Sequence, residues 1–236
     1  MYDYTIQGQP LRFGNSSALY ESDMVIFDHE TGSYWQQVNG RAIVGPLMGE
    51  RLLLLPAQTT TWALWKDQFP DTQVLSRDTG HVRRYDYDPF LGLAERLNRD
   101  GDFLFPVSEL ARDPRLDPGA IVVGVEVDGR QRAYPIQLIG DGVVNDSIGE
   151  VPIVVFSAVE GPTGAAYVAL VENATLTFSF VDGRFRDDQT NSTWNLAGVA
   201  TSGELAGTQL QPLPMRSTLW FSLVTSFPDI ELYRER

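Results

Sequence analysis

Residues 40–71 read GRAIVGPLMGERLLLLPAQTTTWALWKDQFPD, and a related stretch, GVATSGELAGTQLQPLPMRSTLWFSLVTSFPD, follows at residues 198–229. Adding 158 to each number aligns the two stretches without a gap, and 13 of the 32 aligned positions are identical. A gapless match of this length predicts one supersecondary unit that the chain uses twice. The fold should therefore contain two related units.

Each copy predicts strands and turns followed by a short helix. In the first copy, Gly45 and Gly49 mark turns, because glycine enters the positive-φ region freely. Thr59 or Thr60 is the predicted helix cap, since a threonine hydroxyl can accept a backbone N–H. An aromatic stripe and a terminating proline follow at helical spacing: Trp62, Trp65, Phe69 and Pro70.

The second copy repeats these features. Ser217 or Thr218 takes the place of the cap, and the stripe and stop are Trp220, Leu223, Phe227 and Pro228. We interpret both stripes as core packing and not as an aromatic ligand platform. Two copies with different roles would share their packing positions but not their ligand contacts.

Composition excludes several classes of function. The net charge of −13 removes the positive surface that nucleic-acid binding requires. The absence of cysteine excludes disulfides, zinc–thiolate and iron–sulfur sites, and cysteine nucleophiles. No apolar run has the length of a membrane span and no signal peptide is recognisable, which leaves the compartment unassigned. We expect no cofactor.

Strand patterns dominate the rest of the chain. Hairpins are predicted over residues 4–13 and 121–136, the second around the tight turn Asp128-Gly129. Single strands are predicted over residues 24–27, 103–107, 151–156 and 165–171. Because short helices do not alternate with strands, the predicted class is α+β, β-rich, with two related units that each carry one short helix. The predicted units are residues 1–80 and 119–236, joined by a connector over residues 81–118 and packed as one globular body.

Three long segments resemble the bacterial and archaeal family called domain of unknown function 3179. They are LRFGNSSALYESDMVIFDHETGSYWQQVNGRAIVGPLMGERLLLLP (11–56), WALWKDQFPDTQVLSRDTG (62–80) and VVGVEVDGRQRAYPIQL with the following VVND (122–146). The resemblance covers nearly the whole chain. It implies no settled activity.

The same resemblance implies an N-terminal difference. Family members typically begin with a segment like residues 122–156 ahead of the first repeat, with a His-Glu pair and a Cys-Pro-Leu-Cys run. This chain has Asp141 where the histidine would fall, and Ser157 and Glu160 where the cysteines would fall. We therefore expect an N-terminally truncated or permuted chain, in which residues 4–13 expose an unpaired edge that allows oligomerisation.

Polar residues found only in the first copy are the candidate ligand-binding residues, because positions shared by both copies serve the fold. They are Ser22, Asp23, Asp28, Gln37, Arg77, Asp78 and Thr79, predicted to line one cleft beside Trp35. The alternative interpretation is that the three aspartates are turn and cap residues that bond nearby backbone N–H groups.

No catalytic or metal-ligating set is predicted. Asp78-Thr79-Gly80 has no second copy that would complete an aspartic protease site. His29 and His81 lack the spacing of metal ligands, and no nucleophile elbow is present.

Three functions remain open on the sequence. The first is a non-catalytic β-rich module that binds a small molecule or a protein partner. The second is a member of a metal-binding or redox enzyme family whose His and Cys segment is missing. The third is a hydrolase that uses Asp23, Asp28 and Asp78, which requires these carboxylates to converge.

Overall fold

The computed structural model describes residues 1–88, 90–159 and 161–234, and strands dominate it. The strands of the first half are β1 Thr5–Ile6, β2 Gln9–Pro10, β3 Phe13–Tyr20, β4 Asp23–Asp28, β5 Tyr34–Gln36 and β6 Arg41–Val44. Those of the second half are β7 Ile121–Val127, β8 Arg130–Pro135, β9 Gly142–Ile148, β10 Val151–Ala158, β11 Thr163–Val168, β12 Leu170–Val171, β13 Ala174–Thr175, β14 Phe178–Val181, β15 Arg184–Asp187, β16 Thr193–Trp194, β17 Ala200–Ser202, β18 Met215–Leu219 and β19 Glu231–Leu232.

Helices are few and short in this described part of the chain. They are α1 Trp62–Gln68, α2 Leu93–Asp100, α3 Ile136–Ile139 and α4 Trp220–Ser226, with a 3-10 helix over Glu109–Arg112. The predicted β-rich α+β class is confirmed.

The first half forms an antiparallel sheet in the order β3-β4-β5-β6. The predicted hairpin over residues 4–13 is present as β1 and β2, which pair antiparallel around Gln7 and Gly8. Trp35 is fully buried between the hairpin and the sheet, and its neighbours there include Leu11, Ala42 and Leu52. This small core fixes one face of β4 and β5.

The second half contains the larger core. The predicted hairpin over residues 121–136 is confirmed as β7 and β8, which form the centre of a sheet in the order β18-β7-β8-β19. Helix α4 lies against this sheet, while β9, β10 and β11 form a second antiparallel sheet beside it. A third sheet, β14-β15-β16-β17, and the two-stranded sheet β12-β13 complete the half.

The connector contains structure that the sequence analysis missed. Helix α2 buries Leu97, which packs with Ala111 of the 3-10 helix against Phe221 of α4. The strand predicted over residues 103–107 is wrong. Pro106 has no N–H to donate to a sheet, and the carbonyl of Phe105 accepts the Ser22 hydroxyl instead.

Both helix caps differ from the prediction. Thr61 caps α1, because its hydroxyl accepts the backbone N–H of Leu64. Helix α4 follows Leu219 without a side-chain cap, since Ser217 and Thr218 are held in β18 by pairing with β7. A strand that runs directly into the helix replaces the expected capping turn.

Candidate functional site

Asp28 is the centre of a buried hydrogen-bond network at the end of β4. Its carboxylate accepts the indole N–H of Trp35 at 2.8 Å and the hydroxyl of Thr31 at 3.0 Å. The Thr31 hydroxyl also lies 2.7 Å from the hydroxyl of Ser33, whose oxygen accepts the backbone N–H of Leu47. Burial alone would raise the pKa of Asp28, but the bonds from Trp35 and Thr31 outweigh it and lower the pKa.

The same network occurs around Asp187 in the second half. Its carboxylate accepts the indole N–H of Trp194 at 2.9 Å and the backbone N–H of Ser192 at 3.1 Å. Thr190 and Leu205 take the places of Thr31 and Leu47. Asp28 is therefore not unique to the first copy, and the reason for choosing it as a binding residue is wrong. Its contacts are those of a structural carboxylate.

Asp23 lies at the opposite end of β4 from Asp28. Its carboxylate accepts the backbone N–H of Val38 at 3.0 Å. Burial raises the pKa of Asp23 to about 6, and the bonds from Val38 and Met24 offset only part of this effect. Asp23 therefore titrates closer to neutral pH than an ordinary aspartate does.

We expect Asp23→Asn to raise the free energy of unfolding at pH 7–8 and to change it little near pH 3. Folding raises the pKa of Asp23 to about 6. The free energy of unfolding of the original chain therefore falls as pH rises through that value. Asparagine stays neutral and can still accept the Val38 N–H. A two-unit shift corresponds to at most about 3 kcal/mol.

Urea unfolding of both proteins from pH 3 to 8 measures this difference. Asp182→Asn is the matched control, because Asp182 is exposed in the turn between β14 and β15. Its free energy of unfolding should have the same pH dependence as that of the original chain. Parallel curves for Asp23→Asn and the original chain would show that Asp23 does not titrate in this range.

The remaining candidate residues do not meet in one cleft. Trp35 is fully buried and offers no ligand surface, and Gln37 is exposed just after the end of β5. Ser22 bonds the carbonyl of Phe105. The run Arg77, Asp78 and Thr79 lies in an exposed segment, where the Thr79 hydroxyl contacts that of Tyr85.

The hydrolase hypothesis fails on this geometry. Asp23 and Asp28 occupy opposite ends of the six-residue strand β4, and a strand of that length separates their Cα atoms by roughly 16 Å. Each carboxylate is bonded to its own local donors, and Asp78 lies outside both networks. A carboxylate pair that shares a substrate needs much closer groups.

Arg216 joins the two halves of the chain. Its Nε donates to the carbonyl of Val38 at 2.8 Å, and its Nη1 donates to Glu126 at 3.0 Å. Arg51 reaches the same Glu126 carboxylate at 2.9 Å, and the hydroxyl of Tyr2 donates to Val38 at 2.6 Å. These bonds tie the first sheet to the β7–β8 hairpin.

The outer face of α1 is the exposed surface that the sequence analysis missed. Trp62, Trp65 and Phe69 are 50%, 40% and 46% exposed, so the core-packing prediction is wrong for this helix. The matching residues of α4 behave as predicted, with Trp220 and Leu223 at 0% and 1%. The difference lies in what each helix packs against.

Helix α4 packs on a sheet, and α1 has no such sheet. Trp220 and Leu223 contact Val122 of β7 and Ala133 of β8. The segments on either side of α1 are likewise unpaired. Residues 57–60 and 73–75 make no backbone–backbone hydrogen bond with any residue the structure describes, whereas the matching residues 215–219 form β18.

The inner side of α1 covers a cleft of about 1090 Å³ in the second half. Leu64 and Asp67 of the helix form one wall, and Phe185 and Trp194 lie opposite. Ser157, also part of the lining, is fully buried with a hydroxyl that has no hydrogen-bond partner among the described residues.

Two positions that the family resemblance singled out meet in this cleft. Asp141 and Ser157, which stand where the histidine and first cysteine would fall, both line it. Glu160, the third such position, lies outside the described residues. Within the described ranges, no group of three or more His, Asp or Glu side chains could hold a metal ion.

Comparison with known proteins returns one family. Residues 1–230 match a family described as Protein of unknown function (DUF3179). The chain matches no curated protein and no solved structure. None of the helices described here is long and apolar enough to cross a membrane.

Proposed function

Because the chain belongs to the DUF3179 family, whose description assigns no activity, we propose its function from its surface: a non-catalytic β-rich module that binds a protein partner. The binding surface is the outer face of α1, formed by Trp62, Trp65 and Phe69. The observation that carries the proposal is the contrast between these exposed residues and their buried counterparts in α4.

The chemistry of this face supports a protein ligand. Contiguous exposed aromatic residues on a protein surface mark interaction sites, and tryptophan is one of the residues enriched among those that dominate binding energy. Trp65 and Phe69 already contact each other in a tilted arrangement, with ring centroids 4.4 Å apart. Each ring buries a large apolar area for a small loss of side-chain entropy, which favours stable association.

The exposed surface continues beyond the helix. In the segment that follows α1, Leu75 and Val82 are almost fully solvent-exposed and Val74 is about two-thirds exposed. A partner that covers α1 would also cover part of this segment. The surface is therefore broad enough for a protein and larger than a small ligand requires.

We infer further that the two halves arose by duplication, with units at residues 1–80 and 119–236 and a connector over 81–118. The gapless repeat supports this, as does the buried aspartate–tryptophan bond in each half. A tyrosine hydroxyl that donates to a backbone carbonyl also recurs, from Tyr2 to Val38 and from Tyr167 to Leu196. Under this inference, the two helices had the same original packing role.

Site-specific photo-crosslinking tests the binding surface. A photoreactive phenylalanine analogue is placed at position 65, and at position 138 in a control variant, because Leu138 is an exposed apolar residue on a different helix, α3. In extracts of the source organism, we expect a discrete protein adduct from position 65 and none from position 138. Equal adducts from both positions, or none from position 65, would refute the proposal.

A further inference from the structure

The cleft on the inner side of α1 carries opposite charges together with an apolar lining. We propose that this cleft binds a small zwitterion with an apolar body, which is the chemistry of a free amino acid or a short peptide. The site is separate from the protein-binding face, because Trp62, Trp65 and Phe69 do not line the cleft. The inference therefore goes beyond the proposed function and does not depend on it.

Two charged side chains of opposite sign line the cleft from different elements. They are Asp67 of α1 and Arg184 of β15. Neither side chain forms an ion pair or a hydrogen bond with any residue that the structure describes. The ammonium group of a zwitterion pairs with a carboxylate, and its carboxylate pairs with a guanidinium in a planar, two-bond geometry. The cleft offers one unpaired group for each end of such a ligand.

Asp141 adds a second carboxylate to the lining. One of its oxygens accepts the backbone N–H of Val159 at 2.6 Å, and the other has no hydrogen-bond partner among the described residues. With two carboxylates and one guanidinium in the lining, the cleft disfavours a phosphate compound or another polyanion. It favours a ligand that carries a positive charge as well as a negative one.

The rest of the lining suits an apolar body. Phe180 and Phe185 contact each other with ring centroids 5.0 Å apart, and Leu64 and Leu196 also line the cleft. Small-molecule sites are typically concave and mostly apolar, with a few polar groups that fix the orientation of the ligand. The volume of about 1090 Å³ lies near the upper limit for such sites, so an amino acid or a short peptide fits inside.

The corresponding space in the first half is closed. An offset of 159 within the sheets pairs Gln36 with Asn195, and the offset of 158 pairs Gln68 of α1 with Ser226 of α4. Gln36 donates to the hydroxyl of Ser226 at 3.2 Å and is 2% exposed. Asn195 and Gln68 both line the cleft, but no hydrogen bond joins them. The same unit is therefore sealed in one half and open in the other.

The charges occur only in the open copy of this space. Arg184 takes the place of Val25, which is 3% exposed. Asp67 takes the place of Thr225, whose hydroxyl bonds the carbonyl of Phe221 within its own helix. Enclosing two unpaired charges would cost more than the packing gains, which keeps the cleft open to water. A zwitterion supplies a partner for each charge and fills the space.

Isothermal titration calorimetry of the full chain with three related compounds tests the ligand class. The probes are L-phenylalanine, 2-phenylethylamine, which lacks the carboxylate, and 3-phenylpropionate, which lacks the ammonium group. We expect L-phenylalanine to bind and each analogue to bind at least about tenfold more weakly, because each leaves one charged group of the cleft unpaired. The dipeptide phenylalanyl-phenylalanine distinguishes the two sources, since tighter binding than that of L-phenylalanine identifies a peptide ligand.

Two variants assign the charged ends. Arg184→Gln should weaken L-phenylalanine at least about tenfold but change 2-phenylethylamine less than about threefold, because that probe has no carboxylate. Asp67→Asn should have the same effect on L-phenylalanine and leave 3-phenylpropionate nearly unchanged. Arg130→Gln and Asp128→Asn are the matched controls, because both residues are exposed at the β7–β8 turn and lie outside the lining. They should bind every probe as the original chain does.

Three binding results overturn the inference: no binding of L-phenylalanine or the dipeptide, equal affinity for all three phenyl compounds, or equal behaviour of the cleft variants and their controls. Thermal unfolding provides a fourth. If Arg184→Gln and Asp67→Asn each lower the Tm and the double variant lowers it no further, the two side chains pair directly and no ligand is needed. A protein adduct at position 65 without ligand binding would leave the protein-binding function standing and remove this site.

Discussion

Asp187→Ala is expected to lower the free energy of unfolding by about 3–5 kcal/mol, because several buried donors lose their acceptor together. The indole N–H of Trp194 and the backbone N–H groups of Thr190 and Ser192 all point to this carboxylate. The site is fully enclosed, so water cannot replace the lost oxygen without opening the core of the second half.

Urea unfolding at pH 7 measures the loss. Asp188→Ala is the matched control, because Asp188 is the exposed neighbour and bonds only locally, to Thr177. It should cost less than about 1 kcal/mol. A similar loss for both variants would mean that the Asp187 network does not stabilise the fold.

The pH dependence gives an independent check on Asp187. Burial raises its pKa, but the bonds from Trp194 and Thr190 outweigh that effect, and the pKa is lowered on folding. Its stabilisation is therefore fully present above the unfolded pKa of about 4 and is lost as pH falls below it. The difference between Asp187→Ala and the original chain should shrink in acid, opposite in sign to the effect of Asp23.

Gly203→Ala is expected to cost about 3 kcal/mol or more, from two causes that add. Gly203 has φ +94°, where a Cβ is strained, and an added Cβ would lie 2.6 Å from the Cα of Ser192. The nearest atom belongs to the backbone and cannot rotate away. The same approach recurs in the first half, where a Cβ on Gly45 would lie 2.7 Å from the Cα of Ser33.

Gly207→Ala isolates the contact from the backbone strain. Gly207 has φ +88° but open space around its Cβ position, so only the conformational cost of about 1 kcal/mol applies. Thermal unfolding of both variants gives the difference. Equal shifts in Tm would show that the chain relaxes around Ser192 and that the close contact carries no energy.

The sequence predicts local structure well where a pattern is self-contained. The β7–β8 hairpin follows from the strand-like runs on either side of Asp128-Gly129, and its turn conformation is set by those two residues, both of which have positive φ. Helix α2 could not be predicted from the sequence, because Leu93 and Leu97 are nearly its only apolar residues. A segment with two apolar residues among charged ones has the composition of a loop and shows no clear helical periodicity.

Burial of an apolar stripe cannot be predicted from the stripe itself. The periodicity of Trp62, Trp65 and Phe69 indicates which face of α1 favours burial, but not whether another element is there to cover it. That depends on residues distant in sequence, such as Val122 and Ala133 in the case of α4. Tertiary packing, and not the local pattern, therefore determines whether such a stripe is buried.

The structural role of Asp28 can be predicted from the sequence. The offset of 158 places Asp28 against Arg186, but Trp35 already matches Trp194 at an offset of 159. Applying the second offset pairs Asp28 with Asp187. The cleft lined by Asp141 and Ser157 could not be predicted from the sequence, because one of its walls is α1, which comes from the other half of the chain.

The link through Arg216 has a practical consequence for the exposed segment after α1. Residues 71–88 are almost entirely solvent-exposed and offer a protease an accessible site. A single cut there divides the polypeptide, yet Val38 and Arg51 remain bonded to the larger piece through Arg216 and Glu126. We expect the nicked molecule to stay one particle in native gels and to become two bands under denaturing conditions. We also expect the two fragments, produced as separate polypeptides, to reassemble by complementation.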